Sequence, residues 1–167
     1  MTLATGAVGA LQDVTVGLNG GALVGGLLRM RGSSRIVDLL TNSDERSLVV
    51  ERADTQTILV RDQLVWIASE AQPKPHERRL ADNDLYEMYD HTIRVVAGPF
   101  EINGRVRAYR DVQWSDYLLA RSVGGFFVLE HAEITGPSGA FAGRYVNINA
   151  SRVAALTAVS SRPATDD

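Results

Sequence analysis

Six arginines fall in two short clusters, Arg29, Arg31 and Arg35 in one and Arg105, Arg107 and Arg110 in the other, and they are over a third of the 17 Lys plus Arg in the chain. Guanidinium groups are planar donor forks that match phosphate and carboxylate oxygens two at a time. On a strand, residues two apart share a face, so Arg29 with Arg31, and Arg105 with Arg107, would each aim a pair of forks in one direction. Tyr109, Trp114 and Tyr117 lie close to the second cluster, and aromatic faces interleaved with arginines are what single-stranded nucleic acids stack on. With Arg61 added from a turn between two apolar runs, the candidate anion-binding set is Arg29, Arg31, Arg35, Arg61, Arg105, Arg107, Arg110 and Tyr109. The competing reading is a solvated strand face, or ion pairs to Asp38 and Asp116, and arginines on strand edges also discourage edge-to-edge association. Trp114 is better suited to packing, because tryptophan buries a large apolar area.

Catalytic chemistry finds little support. His76, His91 and His131 are scattered, and no two have the spacing that seeds a metal site. His131-x-Glu133 on a strand would point both side chains one way, an arrangement more common on an outward-facing edge than at a two-ligand site. There are no cysteines, which removes disulfides, thiolate zinc sites, iron–sulfur clusters and thiol nucleophiles. Nucleophile elbows, phosphate-cradling loops and dinucleotide fingerprints are missing, and Gly136-Pro-Ser-Gly139 reads as a hairpin turn. The expectation is a protein that is not an enzyme and carries no cofactor.

The elements that would position these residues are strands. Short apolar alternations with glycine-rich punctuation dominate both sides of a compositionally distinct stretch, Ala68 to Asp90, which holds Pro73, Pro75 and paired charges. Pro75 could open a short helix carrying Leu80, Leu85, Met88 and Tyr89. The two sides also repeat each other. Val24-Gly-Gly26-Leu-Leu28-Arg29, then Asp38-Leu-Leu40, then Leu48-Val-Val50-Glu51 is matched by Ile102-Asn-Gly104-Arg-Val106-Arg107, Asp116-Tyr-Leu118 and Phe127-Val-Leu129-Glu130. Gly26 and Gly104 are 78 apart, as are Asp38 and Asp116, while Glu51 and Glu130 are 79 apart. Such spacing predicts two copies of one β-unit of about 65 to 75 residues, the size of a small barrel. In the first, strands are expected at Val14 to Leu18, Ala22 to Met30, Ser47 to Ala53, Thr57 to Arg61 and Leu64 to Ile67. In the second, they are expected at Ile93 to Val96, Phe100 to Tyr109, Tyr117 to Arg121, Phe126 to Ile134 and Tyr145 to Ile148, closed by Val153 to Leu156. Gly25 and Gly26 would let the long second strand bend.

The opening of the first unit, Val16-x-Leu18-x-x-Gly21-x-x-Val24-x-Gly26-x-Leu28, resembles the first motif of the Sm/Lsm family. Its closing run, Ile58-Leu-Val-Arg61-Asp62 followed by Leu64-Val-Trp-Ile67, is similar to the second motif, in which a basic tight turn separates two apolar strands. The second unit keeps Ile102 and Gly104 and puts Pro99 where the earlier glycine would stand. The resemblance implies a mainly β chain of two tandem Sm-like, SH3-like, five-stranded bent barrels, residues 1–68 and 91–159, joined by the compositionally distinct linker with its short helix at 69–90, while the small, polar and acidic composition of residues 160–167 predicts a disordered tail. It also implies ring assembly through the outer strands of neighbouring barrels, so that three chains would close a pseudo-hexameric ring. RNA-binding Sm proteins follow the bent strand with an Asp and then an Asn that contact bases. Here that stretch reads Arg31-Gly32-Ser33-Ser34-Arg35, closer to bacterial Sm-like domains of unassigned role. The same stretch is similar to the spaced arginine pair of cyclic-dinucleotide-binding PilZ barrels, without their downstream partner motif.

The composition is that of an ordinary globular chain, 45% hydrophobic and 22% charged, with net charge −3. Bulk nucleic-acid binding is therefore disfavoured, although a local basic patch would survive the average. Ala22 to Leu28, the longest apolar stretch, is far short of the ~20 residues of a membrane helix, and Met1 to Leu11 lacks a basic leader. These features predict a cytoplasmic binding and assembly module, a homo-oligomer with a protein partner or anionic ligand and no membrane association. A nucleic-acid-binding ring is the alternative, and a small enzyme with a pocket lined by His131, Glu133 and Asp116 is a distant third.

Overall fold

In the computed structural model, residues 10–33, 35–42, 46–70, 88–121 and 125–164 are described. Ten strands are present among them: β1 (Leu11–Leu18), β2 (Leu23–Arg29), β3 (Ser47–Arg52), β4 (Thr55–Val60), β5 (Leu64–Ser69), β6 (Met88–Ala97), β7 (Phe100–Tyr109), β8 (Phe126–Gly136), β9 (Gly139–Asn149) and β10 (Val153–Pro163). Two short helices, α1 (Ile36–Asn42) and α2 (Trp114–Leu119), follow β2 and β7, and 3-10 turns at Arg61–Gln63 and Ala150–Arg152 precede β5 and β10.

All ten strands belong to one antiparallel sheet in the order β10-β6-β7-β8-β9-β5-β1-β2-β3-β4. The sheet is open, ending in β10 and β4, so the strands do not close into two separate rings. Its order nevertheless repeats: each run of five consecutive strands places the last beside the first, β5 beside β1 and β10 beside β6. Each run also curls. Flat strands lie about 4.8 Å apart, so β4 and β5 would stand about 19 Å from each other. Leu59 of β4 and Leu64 and Ile67 of β5 instead share one core with Val16, Leu28 and Val50. A second core gathers Ile93, Ile102, Leu129, Ile134 and Ile148 from β6 to β9, with Val153 and Leu156 of β10 packed against it.

The aligned glycines account for the close packing of the second strand on the third. A Cβ on Gly26 would stand 2.5 Å from the Glu51 carbonyl oxygen and 2.7 Å from Val50 Cγ1; one on Gly104 would meet Leu129 Cβ at 3.0 Å and Ala132 Cβ at 3.1 Å. Backbone cannot yield as a flexible side chain can. Gly26→Ala is therefore expected to destabilise the chain by about 1–3 kcal/mol, the usual cost of overpacking, read as a lower urea midpoint.

Three expectations are corrected. Tyr117 to Arg121 is not a strand: α2 ends at Leu119 and a turn follows. Met88 and Tyr89, expected on the linker helix, open strand β6, while Leu80 and Leu85, the other positions expected on it, fall in residues 71–87, outside the described residues. The tail expected to be disordered from Ser160 is strand as far as Pro163, since β10 pairs Ser160 with Thr92 and Pro163 with Tyr89, and residues 165–167 lie outside the described residues.

Candidate functional site

Alternation along β7 buries Ile102, Gly104, Val106 and Ala108 and turns Arg105, Arg107 and Tyr109 outward together. The strand register then gives each arginine a carboxylate. Arg105 stands opposite Glu130 and donates to its Oε2 at 3.0 Å. Arg107 stands opposite Asp90, whose Oδ1 accepts from Nε at 3.1 Å. In the first half, Arg29 donates from Nε to Glu51 Oε1 at 2.6 Å. Arg35 holds both oxygens of Asp38, at 2.7 and 2.6 Å. That pairing raises the Arg35 pKa further above its ordinary value. Arg110 lies over the Tyr89 ring at 5.7 Å, Arg31 occupies a left-handed turn position (φ 48°), and Arg61 opens the first 3-10 turn. The arginines thus lie on several strands and turns, most of them matched by acids. Exposed pairs of this kind contribute ~0–1 kcal/mol, so Arg29→Ala and Arg105→Ala should each lower stability by less than about 1 kcal/mol in urea unfolding.

Of the aromatic residues near the second cluster, Trp114 and Tyr117 pack against the second core and Tyr109 is half exposed. Trp114 meets His91 edge-on at 5.3 Å and Tyr117 at 5.4 Å, and Tyr117 meets Phe127 at 5.8 Å. Arg121 sits 3.8 Å over the Tyr117 ring. Burial pushes the Tyr117 hydroxyl pKa up, with Arg121 opposing the shift. His91 is buried, with Nε2 3.0 Å from the Tyr109 carbonyl oxygen. His131, at φ 49°, lies where β8 bulges against β7, the three steps from Glu130 to Glu133 facing only two from Arg105 to Asn103. It lines a shallow cavity of about 380 Å³ with Glu70, Glu133 and Arg144; Asp116 is not among the lining residues. His76 lies outside the described residues. No cluster of three metal-ligating side chains occurs among the described residues.

The arrangement with the clearest consequence is the junction of the two halves. There β5 pairs with β9, Trp66 opposite Ile148, Ile67 opposite Asn147 and Ala68 opposite Val146. All six positions of β5 are buried, as befits a strand covered on both faces. Asn147 and Asn149 reach across, their side-chain amides donating to the carbonyls of Ile67 at 3.4 Å and Leu64 at 2.9 Å. The 3-10 turns align the halves, because Val60 precedes one and Asn149 the other. By that alignment Ile58 and Val60 of β4 correspond to Asn147 and Asn149, and Val153 and Leu156 of β10 to Leu64 and Ile67.

The corresponding positions at the ends of the sheet are uncovered. Ile58 is 67% exposed against 4% for Asn147, and Val60 is 53% exposed against 5% for Asn149. Free strand edges are normally guarded by charge, proline or bulges. Thr55-Gln-Thr-Ile-Leu-Val60 contains no charge and no proline; in β10 the stretch Val153 to Ser161 contains neither, while Arg162 and Pro163 end the strand and its pairing with β6 is irregular at two places. These edge residues escaped the sequence reading because an apolar run identifies a strand without telling whether a neighbour covers it.

No protein-family model, curated protein or solved structure matches this chain. Among the described residues no helix is long and apolar enough to cross a membrane.

Proposed function

We propose that this chain is a non-enzymatic, self-assembling module of two Sm-like units, in which β10 of one copy pairs antiparallel with β4 of the next. The observation that carries this reading is the exposure of Ile58 and Val60 at the positions that Asn147 and Asn149 bury between the halves. Repetition of the β5–β9 register would set Ile58 opposite Leu156 and Thr57 opposite Thr157. Apolar cross-strand pairs of this type contribute ~0.2–1 kcal/mol each, beyond the backbone hydrogen bonds of the added strand pair. The contact is head-to-tail, and such contacts close into rings or run on as filaments according to the rotation between copies. Three chains, supplying six units, give the ring that the Sm resemblance implies.

Light scattering on the eluting peak of the purified chain tests this. Three times the 18.1 kDa chain mass is expected; a single-chain mass at tens of micromolar would overturn it. Nucleic acid is the weaker ligand, because Arg29, Arg105 and Arg107 already face carboxylates. The absorbance ratio of the same peak should therefore be that of protein alone. Co-eluting nucleic acid whose retention falls steeply with salt would instead favour the arginine faces as its site.

A further inference from the structure

Helix α1 is covered by the other half of the molecule. Ile36, Leu39 and Leu40 are all buried, and α1 packs against β8, whose Phe126 joins the first core. This contact lies on the same junction as the β5–β9 pairing. Helix α2 holds the equivalent place, after the second strand of its half and before the third, with Trp114, Tyr117 and Leu118 each 78 positions beyond Ile36, Leu39 and Leu40. Those three are only partly buried, and Leu119, which corresponds to Thr41, is 72% exposed. Two helices in equivalent places thus differ in cover, and the less covered one belongs to the half whose β10 edge is free.

We infer that α2 is a docking helix for a second copy of this chain, lying on β3 of that copy as α1 lies on β8. This rests on the end-to-end pairing proposed above and adds a second contact to it. The acceptor position follows from register: Phe126 is paired with Asn149 in β9, and the equivalent Ser47 is paired with Val60 in β4. The side-chain volumes also compensate. Within the chain a medium-sized Ile36 stands on the helix and a large Phe126 on the strand; between chains a large Trp114 would stand on the helix and a small Ser47 on the strand. Close packing requires such exchange when one contact geometry is built twice from different residues.

The full-length chain tests the inference by acrylamide quenching of tryptophan fluorescence, followed with native mass across a dilution series. Trp66 is fully buried, so the quenchable signal reports Trp114. Quenching is expected to fall several-fold as the mass rises from one chain to three. A rise in mass with unchanged quenching would overturn the docking of α2 and leave the edge pairing standing; a mass that never rises would overturn the edge pairing itself. Ser47→Arg places a long cation under the helix without altering β4 or β10. It is expected to raise the concentration needed for assembly at least tenfold while the unfolding curve of the dilute chain stays in place. Unchanged assembly in that variant would likewise overturn the acceptor site.

Discussion

Trp66→Ala is expected to lose about 3–5 kcal/mol of stability, the range for deleting a large aromatic side chain from a packed core. Trp66 is fully buried on β5, the strand that hydrogen-bonds to β1 of one half and β9 of the other. Its ring meets Phe100 edge-on at 5.5 Å and stacks on Phe141 at 5.6 Å, so the cavity would open inside the second core. The indole also lies over Gly17, where even a Cβ would collide with the ring, so on that side no side chain is present to fill the space left behind. Domain stabilities are usually ~5–15 kcal/mol, so a loss of this size is a large fraction of the whole. Urea unfolding should show a much lower midpoint with an unchanged slope. A loss below about 1 kcal/mol would mean that the halves are held together elsewhere.

Ile58→Asp with Val60→Asp should convert the assembly to single chains and leave the fold intact. Both side chains are mostly solvent-exposed in the single chain, and exposed substitutions usually change stability by less than about 0.5 kcal/mol. In the proposed interface each carboxylate would be desolvated beside Leu156 or Val153. Uncompensated burial of a polar or charged group costs at least a few kcal/mol, and every 1.4 kcal/mol is tenfold in affinity. Native mass should fall to that of one chain at concentrations where the unsubstituted protein is a trimer, with unchanged circular dichroism. Added salt separates this mechanism from assembly through the arginines. Apolar edge pairing persists at high ionic strength, whereas pairing of surface charges is screened. A double variant that still elutes as a trimer would exclude β4 as the contact edge.

The structural errors of sequence reading have identifiable causes. Tyr117-Leu-Leu119 is too short an apolar run for periodicity to separate helix from strand, and its place after a bent strand decided for helix. Ser160-Ser-Arg-Pro163 shows no apolar alternation, yet it is strand because β6 offers backbone partners as far as Tyr89, and ladder hydrogen bonds are indifferent to side-chain polarity. Glu51 and Glu130 were legible as landmarks of the duplication. Their role as partners of Arg29 and Arg105 was not, since it depends on which residues the register sets side by side.

What the sequence determined by itself is local and periodic: the β-rich character, the duplication marked by Gly26 with Gly104 and Asp38 with Asp116, each pair 78 residues apart, and the continuous apolar run of β5. These are legible because strand alternation, repeated spacing and burial on both faces each leave a mark in the order of residues. Only the tertiary structure decided that β5 joins β9, that Arg29, Arg35, Arg105 and Arg107 are matched by acids, and that Ile58, Val60 and α2 are left with less cover than their counterparts. Cover is a property of what lies beside a strand or helix, and residues far apart in the chain supply it.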